Sequence, residues 1–229
     1  MVGNAPVPGL VLNRMLRRVC LVVTALALTA QTDLRSLLDA VEKHYNNPRT
    51  IEVRFEQTYT VPGRPPRTES GDLFLRRPTR MRWQYRSPAG KLFLVDGKHT
   101  WFYNPSNRIV EKSRLKESDD VRAPLAFLIG RLDFERDFRE FRHRAEGADT
   151  RVVAKPRSEK APYELVEFVI TPGRQIRRLV ITAQDRSVTE FHFAAETLNP
   201  PVPDRLFRFE MPAGAEMVEI AEPEAAGKR

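Results

Sequence analysis

Apolar side chains recur at every second position from residue 51. Ile51, Val53, Phe55, Gln57 and Tyr59 alternate with Glu52, Arg54, Glu56 and Thr58, the period of a strand with one buried face. After the turn-rich PGRPPR (62–67), the stretch GDLFLRRPTRMRWQY (71–85) reads as two strands around a proline turn. Leu73, Leu75 and Arg77 share a face of the first, and Met81, Trp83 and Tyr85 share a face of the second. KLFLVDG and HTWFYNP flank Asp96-Gly97, a strong hairpin signal. Asn104-Pro105-Ser106-Asn107 then turns the chain into RIVEKSRL. Short strands joined this tightly predict an antiparallel meander.

The flanking segments follow other periods. In TDLRSLLDAVEKHY, Leu34, Leu37, Leu38 and Val41 fall at i, i+3, i+4 and i+7, predicting an amphipathic helix with Thr32 or Asp33 as N-cap. Asn46-Asn47-Pro48 stops it. Acids ahead of Pro124 and a compact apolar run before Gly130 predict a short helix over 122–130. Residues 131–144 are charge-rich, with a helical turn around Phe134 and Phe138. Strands resume in TRVVAKP, YELVEFVITP, QIRRLVIT and SVTEFHFAAETL, and NPPVPDRLFRFEMPAG suggests a last one aligning Phe207, Phe209 and Met211. The pattern predicts one α+β domain: a large curved antiparallel sheet with helices over one face. An exposed edge near 51–60 and the basic loop 62–67 are the expected partner contacts.

The first thirty residues stand apart. Arg14, Arg17 and Arg18 precede the apolar run VCLVVTALALTA (19–30), with small residues at Ala25, Ala27 and Ala30. Charge, length and ending are those of a cleaved secretory signal peptide, with Met1 or Met15 as start and cleavage after Ala27 or Ala30. The reading divides the chain into a signal peptide at 1–30, a folded domain at 31–220 and a tail at 221–229. Cys20, the one cysteine, lies in the leader, so a mature chain would hold no disulfide and no thiol nucleophile. Removing the leader lowers Lys plus Arg from 38 to 35 against 30 acids, and the net charge from +8 to +5. An exported chain of that balance suits an anionic surface or an acidic partner better than nucleic acid.

Catalytic patterns are absent from the sequence. His44, His99, His143 and His192 are scattered without metal-ligand spacing, and there is no G-x-S-x-G elbow or Gly-rich phosphate loop. The acids at 119–120 and 133–137 read as caps and a solvated face. An enzyme, a metal centre and a cofactor are therefore not expected. What stands out is a set of large apolar side chains, Leu73, Leu75, Met81, Trp83, Tyr85, Leu92, Leu94, Trp101 and Tyr103, expected on a single concave face. They form either an ordinary core under helices or the lining of a hydrophobic cavity.

GDLFLRRP, RWQY, VDGKHTWFYNP and the later PLAFLIGR resemble the periplasmic outer-membrane lipoprotein carrier family, LolA. The resemblance runs from about 33 to 218. It implies an incomplete, unclosed antiparallel β-barrel of about eleven strands, with helices as a lid over an apolar cavity. It implies a monomeric periplasmic carrier of acylated lipoproteins, loaded by an inner-membrane ABC transporter and unloaded at an outer-membrane receptor, without cofactor. It also implies that Arg77 latches the empty cavity by contacting a lid helix, here 122–130 with Pro124, Leu125, Phe127, Leu128 and Ile129. A lipid or glycolipid binder, or a lipoprotein sensor, of the same fold is the alternative.

Overall fold

The computed structural model describes residues 33–115, 132–159 and 161–220. The expected signal peptide and the helix expected over 122–130, Pro124, Leu125, Phe127, Leu128 and Ile129 included, lie outside them. Contacts divide the chain into two units, one ending at Ala40 and one beginning at Val41. Helix α1 (33–46) crosses that boundary. Its buried positions, Leu34, Leu38, Val41 and Tyr45, fall on the stripe read from the sequence, continued by one turn.

Twelve strands make one sheet. They are β1 (Thr50–Thr60), β2 (Arg67–Arg76), β3 (Arg80–Ser87), β4 (Leu92–Val95), β5 (His99–Asn104), β6 (Ile109–Arg114), β7 (Phe138–Glu146), β8 (Asp149–Pro156), β9 (Tyr163–Ile170), β10 (Ile176–Ala183), β11 (Val188–Leu198) and β12 (Glu216–Glu219). Their order is β12-β6-β5-β4-β3-β2-β1-β11-β10-β9-β8-β7. Two meanders, β1–β6 and β7–β11, join where β1 pairs with β11, and every pair is antiparallel except β12 with β6. The edge strands β7 and β12 do not pair with each other, so the barrel is unclosed, as expected.

One face of this sheet is apolar from strand to strand. Register places Ile51 opposite Leu75, Val53 opposite Leu73 and Phe55 opposite Gly71. Leu73 faces Trp83 in turn, and Leu75 faces Met81. On the other side Phe55 pairs with Phe193 and Leu179 with Phe191 and Phe168. Trp83 and Phe191 are separated by β2 and β1, about 14 Å on a flat sheet, yet their ring centroids are 5.5 Å apart. The face is therefore concave. Phe134, which opens the helical turn α2 (Phe134–Asp137), meets Phe138 and Phe168 under the other half of the same face. Asp133 caps that turn by accepting from the Arg136 amide.

Two expectations are corrected, and two strands carry no pattern that could announce them. The 51–60 segment is not an edge: β1 lies in the middle, between β2 and β11. The edge strand β7 is not legible because FREFRHRAE, largely exposed on both sides beyond Phe138, shows no alternation. Residues 207–211 form no strand. Pro200, Pro201 and Pro203 remove ladder donors, and the chain takes a 3-10 turn (Asp204–Phe207) instead, leaving Met211 48% exposed. The closing strand is β12, whose side chains are all exposed and so carry no pattern.

Candidate functional site

The register also divides the expected cavity residues. Leu73, Leu75, Met81, Trp83 and Tyr85 do share the concave face, but Leu92, Leu94, Trp101 and Tyr103 lie on the opposite one. Met81 pairs with Val95 and Trp83 with Phe93, so β4 presents Phe93 and Val95 inward and Leu92 and Leu94 outward. Leu94 pairs with Trp101 and Leu92 with Tyr103, which carries the outward parity into β5. The reason is that both faces of β4 are covered. Leu-Phe-Leu-Val is apolar at every position, and such a run has no alternation to set its parity.

The outer cover is the C-terminal segment. Val202 and Phe207 bury against Leu94, with Phe74, Leu92, Trp101, Leu206 and Phe209 around them. The Trp101 and Phe209 rings stack at 4.4 Å. Arg82 donates to Leu206 O at 3.0 Å. Arg76, on the outer face of β2, pairs with Asp204, donates to Val202 O and lies over the Phe207 ring. Asp96 holds the hairpin under this patch. Burial alone would push its carboxyl up, but donors from Trp101 Nε1 and the His99 and Lys98 amides hold it below the usual value.

The concave floor is aromatic at its centre. Phe55 meets Trp83 at 4.5 Å and Tyr85 at 5.2 Å, and the Trp83 indole donates to Met81 Sδ at 3.2 Å. Gly71, beside this cluster, lets β2 approach β3 closely: a Cβ there would stand 2.2 Å from the backbone oxygen of Gln84. Beside the cluster lies a cavity of about 20 Å³, lined by Ile51, Val53, Leu73, Leu75, Ile176 and Leu179 among others. That is room for one water, against ~300 Å³ or more for a lipid-sized ligand. A ligand of that size can enter this cavity only if its lining side chains move apart.

Polar groups mark both ends of the floor. At one end the last turn of α1 is held by several bonds. Arg77 Nη2 donates to Tyr45 O at 2.6 Å, where a helix C-terminus favours positive charge. Burial lowers the Arg77 pKa. The Tyr45 hydroxyl donates to Glu196 at 2.8 Å and accepts from the Ile176 amide. His44 Nε2 reaches the same carboxylate at 2.7 Å. Burial first, and then Glu196, pushes the Tyr45 phenol well up. Glu196 points inward because of a bulge: the β1–β11 register slips between Glu52 and Arg54, Ala195 takes φ 52°, and the extra residue flips the alternation. Neither Glu196 nor its bulge was legible in sequence, since FAAETL gives no sign of the slip. Asn46 exchanges two bonds with Leu132, and Glu42 accepts from the Phe134 amide. Arg77 thus reaches the N-terminal helix. At the other end stand Glu69, Lys91, Tyr85 and Gln57.

Among the described residues no three His, Cys, Asp or Glu side chains are placed to hold a metal. No helix there is long and apolar enough to cross a membrane.

The family model described as "Outer membrane lipoprotein carrier protein LolA" matches residues 46–210, well over half of the chain. The chain belongs to the LolA family. An outer-membrane lipoprotein carrier protein of Proteus mirabilis is 31% identical over 206 residues, covering 87% of this chain and 96% of its own. One from Nitrosospira multiformis is 27% identical, covering 90% and 99%. Among solved structures, a LolA superfamily protein from Nitrosomonas europaea shows a TM-score of 0.45 at 12% identity, over 76% of this chain and 97% of its own. An uncharacterized conserved protein from Thermus thermophilus shows 0.49 at 14%, over 82% and 99%.

Proposed function

We propose that this LolA-family chain is a periplasmic carrier that takes acylated lipoproteins from an inner-membrane ABC transporter to an outer-membrane receptor. The observation that carries the reading is the continuous apolar concave face of an unclosed sheet, bordered by polar groups at both ends. Each methylene buried is worth ~0.8 kcal/mol, so a chain of about fifteen opposes transfer into water by roughly 12 kcal/mol. Unaided crossing between membranes is negligible against that barrier. A face that replaces bilayer contacts removes most of it, and no bond need be made or broken.

Release sets the opposite requirement. In the packed arrangement the floor holds one water's volume, so the protein's own side chains compete with the cargo for the same surface. Arg77 on the α1 terminus is a polar catch for that arrangement, and residues 122–130, Pro124, Leu125, Phe127, Leu128 and Ile129 among them, are the proposed lid. Hydrogen bonds to charged groups are worth ~1.5–3 kcal/mol, little enough for entering chains to displace. Leu73, Leu75, Met81, Trp83 and Tyr85 are the proposed acyl contacts, joined by Phe55, Phe191 and Phe193.

Native mass spectrometry of the chain purified from a periplasmic fraction tests the reading. A bound triacylated lipoprotein is expected. Bound free lipid would favour the lipid-binding alternative, and a chain with no ligand and no lipopeptide binding would overturn both.

A further inference from the structure

The second polar end of the floor has an unusual composition. Glu69 faces inward from β2, opposite Gln57, and is 5% exposed. Lys91, just before β4, pairs with it at 2.5 Å, and the Lys91 side chain is 12% exposed. The ammonium lies 4.4 Å from the Tyr85 ring centroid and 5.9 Å from that of Phe102, both on the inner face. Tyr85 in turn donates to Gln57 at 3.3 Å. Burying an ion pair on an apolar face costs more than an apolar pair of similar shape, so stability alone gives no reason for this one. An ammonium has three N–H donors; Glu69 takes one, and ring faces attract the rest of the charge without acting as full acceptors. Arg67 reaches the other Glu69 oxygen at 3.6 Å from a largely exposed position, so the buried part that faces the floor is the neutral Lys91–Glu69 pair, which suits a dipolar acceptor better than a second anion.

Position gives the acceptor its identity. Glu69 and Leu75 are six residues apart on β2, roughly 20 Å at ~3.3 Å per residue, with the aromatic and aliphatic floor between them. One acyl chain spans about 15 Å, half of the ~30 Å hydrocarbon thickness of a bilayer. A chain laid along the floor toward Arg77 places its carbonyl root at Lys91.

We propose that Lys91, oriented by Glu69 and the faces of Tyr85 and Phe102, is the binding point for the carbonyl at the root of an acyl chain, an ester of the glyceryl group or the N-terminal amide. The proposal rests on the carrier reading and adds a polarity to it: methyl ends toward Arg77 and α1, the glyceryl-cysteine head beside the β3–β4 turn.

The test uses a synthetic triacyl lipopeptide, its diether analogue without ester carbonyls, and an N-thioacyl analogue that keeps the third chain but replaces the amide oxygen by sulfur, a weaker acceptor. Affinities are measured by fluorescence competition. Glu69→Gln/Lys91→Met avoids stranding a buried carboxylate, and Glu69→Gln/Lys91→Gln restores an N–H donor. Wild type is expected to bind the triacyl form about tenfold tighter than one of the two depleted analogues, the worth of one charge-assisted hydrogen bond. The Met variant should lose that preference, and the Gln variant should keep part of it. A preference over the diether assigns the ester, and a preference over the N-thioacyl form the amide. Equal binding of all three probes by wild type, or a preference unchanged in the Met variant, overturns the proposal while leaving the carrier reading intact. Failure of wild type to bind any probe sinks the carrier reading itself.

Discussion

Replacing Leu94 by alanine separates the two faces of the sheet. Leu94 is fully buried, yet it touches Val202 and Phe207 of the C-terminal segment rather than the concave floor. The substitution removes the equivalent of three methyl or methylene groups, about 2.4 kcal/mol of transfer at ~0.8 each. A cavity term adds to this, and leucine-to-alanine losses in cores run ~2–5 kcal/mol. The segment opposite is a 3-10 turn outside the regular ladder and can partly collapse, so about 3 kcal/mol is expected. For a domain of this size that is a fall in Tm of roughly 6–12 °C. Urea unfolding should show a lower midpoint at unchanged m, while affinity for a triacyl lipopeptide stays within about twofold. A loss below 1 kcal/mol, or a tenfold change in lipid affinity with stability intact, would refute the assignment of Leu94 to the outer face.

Three further outcomes follow from the same geometry. Gly71→Ala drives a methyl into the Gln84 carbonyl and should cost about 1–3 kcal/mol, as overpacking does; a neutral melt would contradict the close β2–β3 approach. Arg77→Leu should lose roughly 1.5–3 kcal/mol with the Tyr45 bond and should release bound lipopeptide more slowly; wild-type loading and release would sink the catch. The folded-state pKa of Asp96 is depressed, so its contribution is full above the ordinary carboxyl value of 3.8 and is lost as pH falls below it. Stability of Asp96→Asn, followed by urea melts between pH 5 and 2.5, should therefore fall less steeply with acid than that of the wild type. Parallel curves would show that the carboxylate carries no such linkage.

Where one face of a strand is wet, the sequence is readable. Ile51, Val53 and Phe55 against Glu52, Arg54 and Glu56 fix the parity of β1, and the pairs across β2 and β3 follow from it. Where both faces are dry, as in Leu92–Val95, composition tells that a strand is buried but not which side chain points inward. The polar ends depended on features no periodicity shows. Glu196 turns inward through a bulge at Ala195, and Lys91 meets Glu69 only once β2, β3 and β4 are in register. Arg77 was visible because it interrupts an apolar face, and family resemblance assigned it a helix as partner. Among the described residues its guanidinium donates to α1 at Tyr45.

The central claim, that acyl chains lie on the concave face, is tested most directly by site-specific photocrosslinking in the periplasm. A benzoylphenylalanine residue at Phe191 or Phe193 should form adducts with lipoprotein, at the acyl-bearing cysteine terminus, and one at Trp101 or Phe209 should not. Adducts at Trp101 or Phe209 with none at Phe191 or Phe193 would contradict the account.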